Sequence, residues 1–204
     1  MTGRFPLVLV VNEAVPVKTT QEWVKWARDS ANKVNYATPG VGSPHHIAMA
    51  TLEERFGLQM QHVPYKGDSA ALVDVISGVV PTMLVGVASV RQHLNDPRMR
   101  MLAVTWPTRL SSLPDVPTFD EAGIKDFEVA AEQGILMPAG VPKEAVQVIN
   151  RDIGIALGQQ AIRDKLETVG MYPVVMSPDE FKAYVQKQAK AAGEVIRKKG
   201  ITIT

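Results

Sequence analysis

One unit occurs twice in the first part of this chain: a short extended run, a glycine-bearing turn, then a helix with its own start signal. The first copy is Asn35-Tyr36-Ala37-Thr38-Pro39-Gly40-Val41-Gly42-Ser43-Pro44-His45-His46. Asn35 to Ala37 reads as extended, Pro39-Gly40 as a turn, and Gly42 as a position of unusual torsion or close approach. Ser43 suits the N-cap and Pro44 the first helical position, where no N–H is needed. The helix runs on from Ile47 to Phe56 with Met49, Leu52 and Phe56 inward, and Gly57 stops it. In the second copy Gln59 to Val63 is a strand, Gly67 and Ser69 open a helix through Ile76, and Gly78 ends it. Strands alternating with helices specify an α/β sheet. Helix starts after successive strands share one sheet edge, where open α/β sheets bind ligands. Free N–H groups and the positive dipole end at each start suit a carboxylate or phosphate. A single copy would equally fit an ordinary strand-turn-helix connection.

The flanking sequence continues the alternation. Leu7 to Asn12 is an apolar β-branched run, read as a buried parallel strand. Thr19-x-x-Glu22 is a capping box, followed by Trp23, Trp26, Ala27 and Ala31 at helical spacing; these face the core, unless an exposed Trp23 marks a partner surface. Strands are expected over Thr82–Val87 and Arg100–Thr105, with a short helix over Ala88–Leu94 between them. Ser111 to Phe119 is a proline-punctuated loop, and Thr118 is placed to cap a short helix that carries Glu121 and ends at Gly123. Phe127–Ala131 and Gly134–Met137 read as strands, the second crossing between lobes. Three helices close the chain. The first starts at Pro142 and carries Val146, Ile149, Ile153 and Leu157; the second carries Ile162 and Leu166; the third is opened by the capping box Ser177-Pro178-x-Glu180.

Composition removes several function classes. A formal net charge of +1 gives no footprint for nucleic acid, so any attraction for an anion must be local. With no cysteine there is no disulfide, thiolate nucleophile or cysteine-zinc site. Met1 to Phe5 does not form a secretory signal, and Leu7 to Val11 is strand-sized, far below the roughly 20 residues of a membrane helix. His45 and His46 have no accompanying ligands at metal spacing, and Ser43 lacks an orienting acid and a Gly-x-Ser-x-Gly elbow. No metal, cofactor or catalytic group is therefore expected.

Tyr36-Ala37-x-x-Gly40-x-Gly42-Ser43-x-x-His46, followed by His62-Val63-Pro64-Tyr65-Lys66-Gly67, resembles the tripartite tricarboxylate transporter receptors, the TctC or Bug family of extracytoplasmic solute-binding proteins. Leu102-Ala103-Val104, Leu113-Pro114-Asp115-Val116-Pro117-Thr118, Glu121-x-Gly123 and Pro138-Ala139-Gly140-Val141-Pro142 follow in the family's order. The resemblance implies the type II periplasmic-binding-protein architecture, two α/β lobes joined by crossing strands with ligand between them. It divides the chain into 1–12, a crossing strand and remnant of the first lobe; 13–133, the complete second lobe; and 134–204, the C-terminal part of the first. The match begins well inside the family pattern, so the N-terminal third is expected to be missing. A half-built lobe would leave apolar surface open to self-association or domain swapping.

Functionally the resemblance implies a periplasmic, non-enzymatic receptor that captures a small carboxylate and delivers it to the membrane permease of a tripartite transporter. Carried onto this sequence, Thr38, Gly40, Gly42 and Ser43 would hold a carboxylate from one helix start, and Tyr65, Gly67 and Ser69 from the other. His46 would support the site from behind. Lys66 reads equally as a ligand contact or a solvated loop residue. The family's usual Gly-x-Val-Asp is here Gly78-Val79-Val80-Pro81, which removes an aspartate. The alternative reading is the effector-binding part of a LysR-type transcription regulator, which shares the two-lobe architecture.

Overall fold

Leu7 to Val11 have no exposed surface, and alternate residues enter different cores: Leu7, Leu9 and Val11 one, Val8 and Val10 the other. A strand apolar on both faces must lie inside a sheet covered by helices on both sides, and the computed structural model, which describes residues 1–30 and 34–202, has that arrangement. This strand, β1 (Gly3–Asn12), lies between β4 (Thr82–Gly86) and β5 (Met99–Val104) and is antiparallel to both. The parallel expectation is thus corrected. An apolar run reports burial on two faces and is silent about direction.

β2 (Val34–Thr38) runs parallel to β3 (Met60–Pro64) and to β4, giving the order β3-β2-β4-β1-β5. Helices α1 (Thr20–Asp29) and α2 (Pro44–Phe56) cover one face with Trp23, Ala27, Met49 and Leu52. The other face is covered by α3 (Asp68–Ser77) and the short α4 (Val87–Val90), through Leu72, Val75, Ile76 and Val90. Trp23 is fully buried, which ends the partner-surface reading; its Nε1 donates to Thr82 Oγ1 at 3.1 Å, and Thr82 donates onward to the Val10 carbonyl at 2.9 Å. Thr19 makes both halves of its capping box. Ala31 falls outside the described residues.

β1 leaves this sheet at its N-terminal half, where Gly3 to Pro6 pair with β6 (Ala130–Gln133) and Gly3 to Arg4 with β7 (Tyr172–Pro173). The returning strand is therefore Ala130–Gln133, not Gly134–Met137. The apolar look of Ile135 and Leu136 was misleading, because pairing with β1 fixes the strand four residues earlier and leaves both side chains exposed. Thr118 and Glu121 bond reciprocally as a capping box would, but they close a turn and no helix follows. Helices α5 (Lys143–Gly158), α6 (Gln160–Thr168) and α7 (Pro178–Lys199) complete the chain. Of their residues only Leu157 is buried, so this segment packs far more thinly than the sheet body. It is tied down where Arg91 donates to the Glu167 carbonyl of α6 at 3.1 Å and Lys199 of α7 lies 3.3 Å from Glu53 of α2.

Candidate functional site

Parallel β2, β3 and β4 end at one edge of the sheet, and α2, α3 and α4 begin there. β1 runs the opposite way, with Leu7 opposite Gly86, so its crossing half Gly3–Pro6 emerges at that same edge. The helix starts thus face the junction with the C-terminal segment. A cavity of about 850 Å³ opens beside the start of α2, lined by Arg4, Gly42, Pro44, Glu128, Gln188 and Lys198 among others.

The start of α2 is closed by its own loop. Ser43 Oγ accepts the His46 N–H at 3.2 Å and donates to the Gly40 carbonyl at 2.8 Å, so its hydroxyl holds the turn. Thr38 is fully buried, accepts the Gly40 N–H at 3.3 Å and lies 2.6 Å from His62 Nε2. Gly42 donates to His46 Nδ1 at 3.1 Å, and it lines the large cavity. Pro44 has no N–H and that of His46 is capped, which leaves the His45 N–H without an intrahelical partner.

α3 is different. Gly67 stands at its N-cap with φ of 102° and offers no side chain, so the N–H groups of Asp68, Ser69 and Ala70 keep their outward donors. The left-handed φ is why glycine is required. The two loops are fastened together, because Tyr65 N–H donates to the Thr38 carbonyl at 2.9 Å and Gly67 N–H to the Pro39 carbonyl at 3.3 Å. Ser69 and Lys66 are exposed. Tyr65 turns its hydroxyl to Asp74 at 2.7 Å; burial and then that bond push its pKa up to about 12.

Of the residues singled out in the sequence, Thr38, Gly40, Gly42 and Ser43 therefore form one hydrogen-bonded loop, and Tyr65, Gly67 and Ser69 form the adjoining one. His46 stands behind the first loop, stacked on His62 with ring centroids 3.7 Å apart. Burial lowers the pKa of His46; burial and then the neighbouring His46 hold His62 at about 4. His62 is therefore neutral at pH 7, and His46 accepts the Gly42 N–H at Nδ1 only in its neutral form.

Two residues outside the expected ligand set, His45 and Asp68, meet at this edge. His45, at the second position of α2, is 7% exposed and points its Nε2 to within 3.5 Å of Asp68 Oδ1. Asp68 Oδ2 accepts the Gly86 N–H at 3.1 Å, with Ser89 Oγ at 3.5 Å. The doubled histidine was visible in the sequence, but its partner lies 23 positions on and only the fold joins them. Among the described residues no group of three or more His, Cys, Asp or Glu is placed to hold a metal.

The model of the tripartite tricarboxylate transporter family receptor matches residues 1–201. This chain belongs to that family. Among curated relatives, a protein of the tcbD-tcbE intergenic region of Pseudomonas sp. strain P51 is 33% identical over 195 residues, covering 93% of this chain and 58% of its own length. BugT of Bordetella pertussis is 27% identical, with 98% and 61% covered. The chain thus spans about three fifths of these relatives. Among solved structures, one from R. palustris with adipate superposes with a TM-score of 0.80 at 27% identity, over 98% of this chain and 67% of that one. MatC from Rhodopseudomonas palustris with bound malate gives 0.77 at 25% identity, over 95% and 67%. The periplasmic binding protein BugD gives 0.79 at 26% identity, over 98% and 68%. The architecture is that of the periplasmic solute-binding proteins.

Proposed function

We propose that this chain is the ligand-gripping part of a periplasmic receptor that captures a small carboxylate and passes it to the permease of a tripartite transporter. The observation that carries the reading is the pair of helices, α2 and α3, starting side by side at the crossing-strand edge, with α3 uncapped and a cavity of about 850 Å³ beside the start of α2. Outward N–H groups and a positive dipole end form an anion site without a metal or cofactor. Family membership, and the adipate and malate held by two of the structural relatives, favour a carboxylate.

On this reading the His45, Asp68, Ser69 and Ala70 N–H groups face the ligand directly. Thr38, Gly40, Gly42, Ser43 and Tyr65 set the two loops, and His46 with His62 backs them. Residues 13–133 act as one lobe, 1–12 as the crossing element, and 134–204 as part of the other. Binding without turnover is the reading we favour, and the use of both stacked imidazoles and the Ser43 hydroxyl in loop contacts supports it. Exposed Ile135, Leu136, Ile149 and Val185 line a second, apolar cavity of about 560 Å³, which we propose as the surface for self-association.

Isothermal titration with succinate, glutarate and adipate tests the receptor reading. Saturable one-site binding to at least one acid is expected. Binding that persists when Gly67 is replaced by valine, with the fold intact, would remove the α3 start from the site.

A further inference from the structure

Gly42 joins two parts of the molecule. It lines the cavity of about 850 Å³ beside the start of α2, and its N–H donates to His46 Nδ1 at 3.1 Å. Its φ of 73° lies in the left-handed region, so that bond holds the loop in a shape only glycine adopts freely. His46 is stacked on His62, with ring centroids 3.7 Å apart and planes 19° apart. His62 Nε2 in turn lies 2.6 Å from Thr38 Oγ1, at the other end of the same loop. Another cavity, of about 300 Å³, adjoins the two rings and is lined by Tyr36, His46, Glu53, Gln59, His62 and Lys199 among others. His62 is only part-buried there, so water and protons reach the pair. The stack therefore connects a loop on the proposed ligand cleft to a polar opening.

A proton on His46 Nδ1 turns the acceptor of the Gly42 N–H into a second donor, and the loop loses the bond that shapes it. Two charged rings this close would also repel, so the stack takes one proton far more readily than two. Among the described residues, the charged groups on this cavity do not offset the cost. Tyr36 of β2 faces both rings, and burial, then Glu53, raise its pKa, so it stays a neutral phenol. Glu53 of α2 is already engaged: Oε1 accepts the Met60 N–H at 2.9 Å, and Oε2 lies 3.3 Å from Lys199 of α7. Burial lowers the His46 pKa, and burial with His46 alongside holds His62 at about 4. Opening the loop returns the rings toward their ordinary value near 6.5, so falling pH favours the open loop. A ligand that requires the closed loop then binds more weakly.

We propose that the His46–His62 stack makes ligand binding proton-linked: neutral, it holds Gly42 and the first loop closed, and uptake of a proton releases loop and carboxylate together. This rests on the receptor reading above and adds its regulation. The two histidines act through the loop and are positioning residues.

Two measurements test it. Isotope-labelled chain without ligand is titrated from pH 7.5 to 4.5. The Gly42 amide is expected to move with the same midpoint as the His46 ring nitrogens, below pH 6.5, while the buried Leu9 and Leu84 amides stay in place. A Gly42 amide that titrates apart from His46, or not at all, would overturn the inference; core amides moving at that midpoint would mean unfolding and would overturn it equally. The second measurement is isothermal titration at pH 7.5 and 4.5 with the best-binding of succinate, glutarate and adipate, for the parent and for His46→Asn. Asparagine keeps an acceptor near Gly42 and takes up no proton, and protonation of the acid itself weakens both proteins alike. Between the two pH values the parent should lose at least about fivefold more affinity than the variant. Equal losses, or tighter binding in acid, would overturn the inference and leave the receptor reading standing. Binding of none of the three acids at pH 7.5 would overturn both.

Discussion

Replacing Ser43 by alanine removes the two hydrogen bonds that its hydroxyl makes in the first loop. The cap to the His46 N–H is worth about 1 kcal/mol. The bond to the half-buried Gly40 carbonyl, which also accepts from the Thr38 hydroxyl at 3.1 Å, adds about 0.5 to 1.5 kcal/mol. The sum is about 2 kcal/mol, twice a cap effect alone. At roughly 2 to 4 °C per kcal/mol for a chain of this size, thermal unfolding followed by far-ultraviolet circular dichroism should shift down by about 4 to 8 °C. Urea unfolding should show a lower midpoint with an unchanged slope. Ser43→Thr keeps the hydroxyl and should lose about 1 kcal/mol or less. An alanine variant that melts within about 1 °C of the parent would refute the reasoning, because neither bond could then be holding the loop.

Three further outcomes follow from the same geometry. His62, at about 4, and His46, also lowered, sit below the unfolded value near 6.5, so the unfolded chain takes up protons first as pH falls. Their contribution to stability is whole above about pH 6.5 and is lost progressively toward pH 4; the urea midpoint should fall between pH 7.5 and 5, and His62→Gln should flatten that fall. Thr82→Val strands the buried Trp23 N–H and removes the hydroxyl bond to the Val10 carbonyl, and should cost about 2 kcal/mol in urea unfolding; a loss under about 0.5 would contradict the two bonds. Light scattering should show particle mass rising with concentration, and Val185→Glu should suppress the rise; a constant monomer mass would remove the apolar cavity as a contact surface.

The features legible in the sequence were those written in neighbouring residues. The Ser43-Pro44 start, the Thr19 and Ser177 capping boxes and the Gly57 and Gly78 stops each depend on contacts a few positions apart, and all form as read. Direction and pairing were not legible. Val8 and Val10 announce two-sided burial in either orientation, and Gly134-Ile135-Leu136-Met137 looks more like a strand than Ala130-Ala131-Glu132-Gln133 until β1 is there to pair with it. The candidate site divides the same way. Its two glycine loops were visible as motifs, whereas the His46–His62 stack and the His45–Asp68 contact join residues that only the parallel pairing of β2 and β3 brings together.

The central claim is that the starts of α2 and α3 hold a carboxylate, and amide chemical shifts read those groups one by one. Titrating isotope-labelled protein with glutamate and with succinate should move the His45, Asp68, Ser69 and Ala70 amides in a saturable way, while core amides such as Leu9 and Leu84 stay in place. Saturable shifts confined to the apolar cavity around Val146 and Phe181, or none at either helix start under ligand excess, would contradict the account.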